Sequence, residues 1–258
     1  MISTGKVKRS FAKSAKNYSV HSSLQNDVSS VLVREFAPKS ATGKILDIGC
    51  GSGFTGLAGA AKWPSAQITG VDLARGMAAE ARRNGVKKVV AGDAALLPFK
   101  AGAFDGALSS LAFQWIIGGR DGLFDGIFRA LRHGGFLSFS MMAGETLAEL
   151  RKAYDEACVQ CTGKKASFPS FPDESKTAEM IKEAGFSILR SESRKILRGY
   201  KNVDGLFATL KGLGASAPAR PANPPRRDVL QKTRTLYPTN DGTITATYEI
   251  IYFWCVRG

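Results

Sequence analysis

Seven residues, Asp47-Ile48-Gly49-Cys50-Gly51-Ser52-Gly53, constrain this chain more than any others. They end a run that reads as a buried strand, Lys44–Gly49. They precede a helical pattern over Phe54–Trp63, which Pro64 ends. Glycine at such a turn reaches backbone conformations closed to other residues and lets N–H groups approach a ligand closely. The following helix N-terminus adds partial positive charge.

The same alternation continues downstream. Gln67–Leu73 reads as a second strand and Ala74–Asn84 as a helix ending before Gly85. Lys87–Ala91, Phe104–Ser110 and Gly135–Met141 read as further strands. Leu123, Phe124, Ile127, Phe128 and Leu131 form a helix face before the last of them. Strands alternating with helices over 44–141 predict an α/β fold, with a doubly wound parallel sheet covered on both faces. Upstream, Leu24, Val28, Val31, Leu32 and Phe36 predict an amphipathic helix over 22–36, stopped near Pro38. Beyond 144 the pattern gives a helix through Leu147, Leu150, Tyr154 and Cys158, and a loop at Phe168–Pro172. A helix over Glu174–Ala184, a strand over Phe186–Leu197 and a short helix through Val203, Leu206, Phe207 and Leu210 follow. Residues 213–227 hold four of the ten prolines and no acid, and read as an extended linker. Thr243–Val256 reads as a closing strand.

Two ligand chemistries suit the turn. Gly51, Gly53 and Gly56 satisfy G-x-G-x-x-G, and Asp72 follows at the distance of a ribose-binding acid, as in dinucleotide sites. Two features favour S-adenosylmethionine instead. Asp47 precedes the first glycine, where it would repel a pyrophosphate but serve an ammonium group. Gly92-Asp93-Ala94 follows the third strand, where an Asp can accept from an adenine amino group, and Leu97-Pro98-Phe99 comes soon after. Each residue also has a plainer reading: Asp47 as a strand cap, Asp72 as the N-cap of the next helix, Asp93 as a turn residue. Met77 suits core packing as well as an adenine face.

In combination these motifs resemble the class I S-adenosylmethionine-dependent methyltransferases over about residues 44–142. The resemblance implies a Rossmann-like seven-stranded sheet whose last strand is antiparallel, with Thr243–Val256 in the C-terminal hairpin. It implies cofactor contacts from Tyr18, Asp47, Gly49, Gly51, Gly53, Asp72, Leu73, Met77, Asp93, Ala94 and Ser110, with S-adenosylhomocysteine as product.

The flanks narrow the resemblance. Phe11-Ala12-Lys13-Ser14-Ala15-Lys16-Asn17-Tyr18 and His21-Ser22-Ser23-Leu24-Gln25 resemble the N-terminal segment of malonyl-acyl-carrier-protein O-methyltransferases, the BioC type of biotin synthesis. So do Leu111-Ala112-Phe113-Gln114-Trp115, the stretch Gly144–Arg151 (GETLAELR), Leu210–Ala215 (LKGLGA) and Thr247-Tyr248-Glu249-Ile250. The family implies methyl transfer to the free carboxylate of a malonyl thioester on acyl carrier protein, or on coenzyme A. It implies that Phe11 and Tyr18 close the site and that Arg151 lies near the malonyl group. Gln114 and Trp115 would line the pocket or support it from below. Lys211 faces substrate or solvent. Tyr18 alternatively ties the N-terminal helix to the core, and Arg151 is alternatively a solvated helix residue. The expected organisation is an N-terminal helical cap (1–40) on a methyltransferase domain (41–258). That domain has a cofactor-binding part (41–143) and a C-terminal lid insertion (about 198–236). The Ala-, Pro- and Arg-rich linker 213–227 departs from the family pattern.

Charge fits such a partner. The chain has 36 Lys+Arg against 22 Asp+Glu, a formal net charge of +14. Five basic residues and no acid lie in 1–20, and eleven basic residues against three acids lie in 190–234. The rest of the chain holds 20 basic residues against 19 acids and is close to neutral, so the excess reads as a docking surface for an acidic carrier, through Arg220, Arg226, Arg227, Lys232 or Arg234, or as a solvated basic face. Nucleic acid is disfavoured as a substrate, because Asn223-Pro224-Pro225-Arg226 lies in the linker and lacks the aromatic of a base-methylating motif. A non-methylating relative of the complex I assembly type shares the G-x-T-L-x-E-L-R piece. The four cysteines include a lone C-x-x-C at Cys158 and Cys161, without a second pair at zinc spacing, so no metal is expected. Met1–Ser19 has no apolar core of a secretory signal and no stretch suits a membrane span, so the expected location is the cytoplasm.

Overall fold

A computed structural model describes residues 5, 9–12, 18–117, 122–166, 168, 170, 171, 173–214 and 226–258. In chain order, α1 (Tyr18–His21) and α2 (Ser23–Glu35) lead into β1 (Gly43–Ile48), α3 (Phe54–Lys62), β2 (Ala66–Asp72), α4 (Arg75–Arg83) and β3 (Lys88–Ala91). Then come β4 (Phe104–Ser110), α5 (Leu123–Ala130), β5 (Leu131–Met142), α6 (Ala148–Thr162) and α7 (Glu174–Glu183). The chain closes with β6 (Phe186–Tyr200), α8 (Val203–Gly212), α9 (Arg227–Leu236) and β7 (Ile244–Arg257).

The strands form one sheet in the order β3-β2-β1-β4-β5-β7-β6. β1 pairs in parallel with β2 and β4, β2 with β3, and β4 with β5, whereas β7 is antiparallel to both β5 and β6. This is the expected seven-stranded α/β sheet with an antiparallel last strand. Strand order reverses between β1 and β4, and ligands of open parallel sheets bind outside the carboxyl ends of the strands at that reversal.

Alternate side chains of β1 part to opposite faces. Leu46 and Ile48 join Phe124 and Ile127 of α5 and Ile181 of α7 in one cluster. Ile45 joins Val33 of α2 and Trp63 in another. Phe36, just past α2, stacks on Tyr252 of β7 at 4.7 Å between centroids. Gly106 of β4 is required by close approach, since a Cβ there would lie 2.1 Å from the Phe136 ring. Gly106→Ala is expected to lower stability by about 1–3 kcal/mol through overpacking. Thermal unfolding should show a Tm several degrees lower, and an unchanged Tm would contradict the packing argument.

Three boundaries differ from the sequence pattern. β5 begins at Leu131 rather than Gly135. β6 runs to Tyr200 rather than Leu197, because Arg198, Gly199 and Tyr200 pair with Ala246, Thr245 and Ile244. The linker assigned to 213–227 gives way at Arg227 to a helix, α9, that periodicity did not suggest; residues 215–225 lie outside the described part. Val229 of α9 is buried beside Tyr154 and Ala157 of α6, with Cys158, Cys161 and Phe168 packed around them. Both cysteines are free thiols in that apolar contact. Among the described residues, no helix is long and apolar enough to cross a membrane.

Candidate active site at the carboxyl edge of the sheet

Gly49, Gly51 and Gly53 all take positive φ, at 66°, 54° and 96°. The Gly49 and Cys50 N–H groups both donate to the Val71 carbonyl, at 2.8 and 3.0 Å, which ties the turn to β2. A Cβ on Gly51 would meet nothing within 4 Å, so the surface of the turn stands open there.

Asp47 lies fully buried under this turn. Its Oδ2 accepts the Gly56 N–H at 2.8 Å, and its Oδ1 has no partner. A Cβ on Gly56 would lie 3.0 Å from Asp47 Oδ2, so this third glycine lets helix and carboxylate meet. Burial pushes the Asp47 carboxyl up to about 7, with the Asp72 charge adding to the effect and the Gly56 N–H opposing it. A buried carboxylate oxygen with its acceptor capacity unspent suits a cationic group entering from the turn. The residues therefore fit the ammonium of S-adenosylmethionine.

Asp72, at the end of β2, accepts the Gly51 N–H at 2.9 Å through Oδ2 and the Ala74 N–H at 2.7 Å through Oδ1. It thus locks the glycine turn to the start of α4, a link the sequence did not reveal. Burial raises its pKa against these two bonds. A carboxylate has about four acceptor sites, so capacity for ribose hydroxyls is left after both. Asp93 Oδ1 accepts the Ala95 N–H at 3.0 Å and caps a short 3-10 turn over Ala94–Leu96. Ala94 is buried and Leu73 partly so. Ser110 Oγ lies 3.1 Å from Ser140 Oγ, within hydrogen-bond reach.

Two aromatic residues near the N-terminus reach the start of α4. Phe11 and Tyr18 pack against Ala74 and the buried Met77, and the Phe11 ring meets Trp115 edge-on at 5.3 Å. Burial and the nearby Asp72 charge push the Tyr18 phenol up. Trp115 belongs to a turn entered through Leu111, whose φ of 53° is left-handed. Such strain in a non-glycine residue clusters at functional sites. Gln114 is buried, donates from Nε2 to the Leu111 carbonyl at 2.8 Å, and leaves Oε1 unpartnered.

Phe11, Tyr18, Asp72, Met77 and Trp115 thus come together. No hydrogen bond, ion pair or ring contact among the described residues links Arg151 or Lys211 to them. Arg151 Nη1 donates to the Gly144 carbonyl at 3.2 Å, and its guanidinium lies 5.4 Å from the Phe168 ring centroid. Lys211 is exposed in the last turn of α8.

An interlock with no local sequence signature joins the start of α6 to β7. Glu149 accepts the Thr247 N–H at 3.1 Å and the Thr247 hydroxyl. The Thr146 hydroxyl donates to the Glu249 carbonyl and accepts the Glu249 N–H, both at 3.1 Å. Glu249 Oε2 accepts the Glu145 N–H at 2.8 Å. The stretches 144–151 and 247–250 therefore brace each other and set where α6 starts. Their matching carboxylates and hydroxyls were the available signal, but about a hundred residues separate them.

The family described as Methyltransferase domain matches residues 46–139. A malonyl-[acyl-carrier protein] O-methyltransferase from Methylovorus sp. (strain MP688) is 31% identical, with the match covering 98% of this chain and 88% of the relative. The chain belongs to the malonyl-[acyl-carrier protein] O-methyltransferase family. The biotin biosynthesis bifunctional protein BioHC of Saccharophagus degradans (strain 2-40) is 30% identical over 98% of this chain and 46% of its own length. Among solved structures, a Haemonchus contortus phosphoethanolamine N-methyltransferase 2 bound to S-adenosyl-L-methionine superimposes with a TM-score of 0.57 at 19% identity, covering 95% of this chain and 57% of that one. That likeness shows the shared fold. The family match runs through the N-terminal segment and last strand as well as the glycine turn.

Proposed function

We propose that this protein transfers a methyl group from S-adenosylmethionine to the free carboxylate of a malonyl thioester on acyl carrier protein, or on coenzyme A, in the cytoplasm. The ester masks a charge, so that chain-extending enzymes accept the acyl group as an early step of biotin synthesis. The observation that carries this reading is the near-complete length of the family match, 98% of this chain. The four free cysteines suit a reducing compartment.

Bound S-adenosylmethionine supplies an electrophilic methyl on a sulfonium. Asp47 Oδ1 takes its ammonium, Asp72 its ribose hydroxyls and Asp93 its adenine amino group, with Gly49, Gly51, Gly53, Leu73, Met77, Ala94 and Ser110 along the same crevice. A malonyl carboxylate, with a reference pKa of about 4, is ionised at neutral pH. No general base is needed, and none of the site residues is asked to serve as one. The work of the protein is positioning and exclusion of water, which can contribute about 7–11 kcal/mol. Phe11, Tyr18 and Trp115 cover the crevice, and Gln114 supports them. Arg151 exchanges the Gly144 carbonyl for a substrate carboxylate, which it can hold bidentately.

For docking, the structure narrows the basic candidates. Arg226 pairs with Asp228 and Arg234 with Asp204, both at 2.7 Å. Arg227 and Lys232 have no ion pair among the described residues, and Arg220 lies outside them. We assign docking of the acidic carrier to Arg227 and Lys232, with Lys211 on the neighbouring lid helix. Exchanging Arg227 and Lys232 together for Glu should raise KM for carrier-bound malonyl several-fold at low salt, with the difference fading as salt rises. KM unchanged by the exchange would remove this surface from docking.

The carboxyl-ester reading has a direct chemical test. Methyl transferred from labelled cofactor to the malonyl carrier should be released as volatile methanol by mild base. Label that resists base would place the methyl on another atom.

A further inference from the structure

His21, which ends α1, and the stretch Leu210–Ala215, whose glycines fall at the end of α8, touch neither cofactor nor substrate in the mechanism above. They meet each other instead. A Cβ on Gly212 would lie 2.2 Å from His21 Cδ2 and 2.7 Å from its Nε2, so the imidazole rests on the α8 backbone at the one point where a side chain is missing. Two residues on, Gly214 takes a φ of 68°. Its N–H donates to the Lys211 carbonyl at 3.1 Å, and its own carbonyl accepts the Ser10 hydroxyl at 2.8 Å.

Ser10 and His21 bracket the aromatic residues of the site. Ser10 adjoins Phe11, and His21 follows Tyr18 by three residues within α1, a spacing that makes neighbours on one helix face. Phe11 and Tyr18 in turn pack on Ala74 and Met77 at the start of α4. Both fasteners end on one element, and that element is well anchored. Val203, Leu206 and Leu210 of α8 are buried with Val28 of α2 and with Tyr248 and Ile250 of β7. Asn202 Oδ1 caps α8 by accepting the Gly205 N–H at 2.9 Å. Helix α1, by contrast, is four residues long, too short to hold its shape or orientation by itself.

We propose that Ser10 and His21 are positioning residues: seated on Gly214 and Gly212, they hold Phe11 and Tyr18 in place at the cofactor crevice. The inference rests on S-adenosylmethionine binding in that crevice and is independent of which acceptor takes the methyl. A single helical turn samples other orientations unless something outside it fixes one of them. A site that is competent for a fraction of the time binds more weakly by that fraction. The latch on α8 raises the fraction.

The test is the Kd for S-adenosylmethionine, measured by calorimetry. Gly212→Ala puts a good helix former into α8 and a methyl group where the imidazole sits, so the ring has to leave. Kd should rise about tenfold. His21→Ala should give a similar rise with no clash, and Ser10→Ala a rise of about threefold for one hydrogen bond. Adding Gly212→Ala to His21→Ala should change Kd no further, since the ring it displaces is gone. Adding it to a protein that carries Phe11→Ala and Tyr18→Ala should also change nothing, since its effect passes through those two residues. An unchanged Kd in both Gly212→Ala and His21→Ala would overturn the latch. A full further rise on top of Phe11→Ala and Tyr18→Ala would overturn it too, by assigning the loss to the fold at large. A protein that shows the expected pattern of Kd but methylates no malonyl thioester would overturn the acceptor reading and support the latch.

Discussion

Asp47→Asn should weaken S-adenosylmethionine binding by about a hundredfold or more, because it removes a buried carboxylate oxygen that has no partner and is left to meet the ammonium. The amide would keep an oxygen for the Gly56 N–H and turn its NH2 toward the cation. Binding by the unchanged protein should also depend on pH. The carboxyl of the free site titrates near 7, and an ammonium partner would lower that value. Affinity should therefore fall about tenfold per unit as pH drops below 7. Measurement between pH 5 and 7 avoids titration of the cofactor's own α-amino group, which has a reference pKa of about 7.7–8.0. Asp47→Asn should abolish the slope. Stability carries the opposite sign. The folded pKa is raised above the unfolded value of about 3.9, so the free protein loses stability as pH rises from about 4 to 7. The asparagine variant should lack that loss. A variant that binds cofactor with unchanged affinity and unchanged pH slope would contradict the role of Asp47.

Arg151→Ala should lower kcat/KM for malonyl thioester by about a hundredfold, with most of the change in KM and with cofactor affinity kept. A charge-assisted bidentate pair is worth more than a neutral hydrogen bond, and removing one partner leaves the substrate carboxylate unheld. The present partners of Arg151, the Gly144 carbonyl and the Phe168 ring, are neutral. Breaking them costs the fold little, so the loss should appear in kinetics rather than in Tm. Arg151→Lys should recover only part of the activity, since an ammonium cannot form the planar fork. Unchanged kinetics in Arg151→Ala would remove this residue from the site.

The part of the fold most legible in sequence was the alternation over 44–141. Buried parallel strands such as β1 read as apolar runs, broken here only by Asp47, and the glycine turn marks where the first one ends. Asp47 and Asp72 stood out because their positions relative to the glycines carry chemistry. The lock between Asp72 and Gly51 did not, because a hydrogen bond from side chain to backbone leaves no periodic trace. Helix α9 was hidden for another reason: its apolar contacts, Val229, Leu230 and Leu236, are few, and they acquire meaning only against Tyr154 and Ala157 of α6. The extension of β6 to Tyr200 is a pairing effect from β7. The brace of Glu149 and Thr146 on 247–250 joins two family pieces whose order was visible but whose contact was not.

The central claim is tested most directly by the intact mass of malonyl-acyl carrier protein after incubation with the enzyme and S-adenosylmethionine. The account predicts a gain of one methylene on the malonyl carrier and none on the acetyl carrier, which lacks the free carboxylate. No gain on the malonyl carrier, or an equal gain on both, would contradict it.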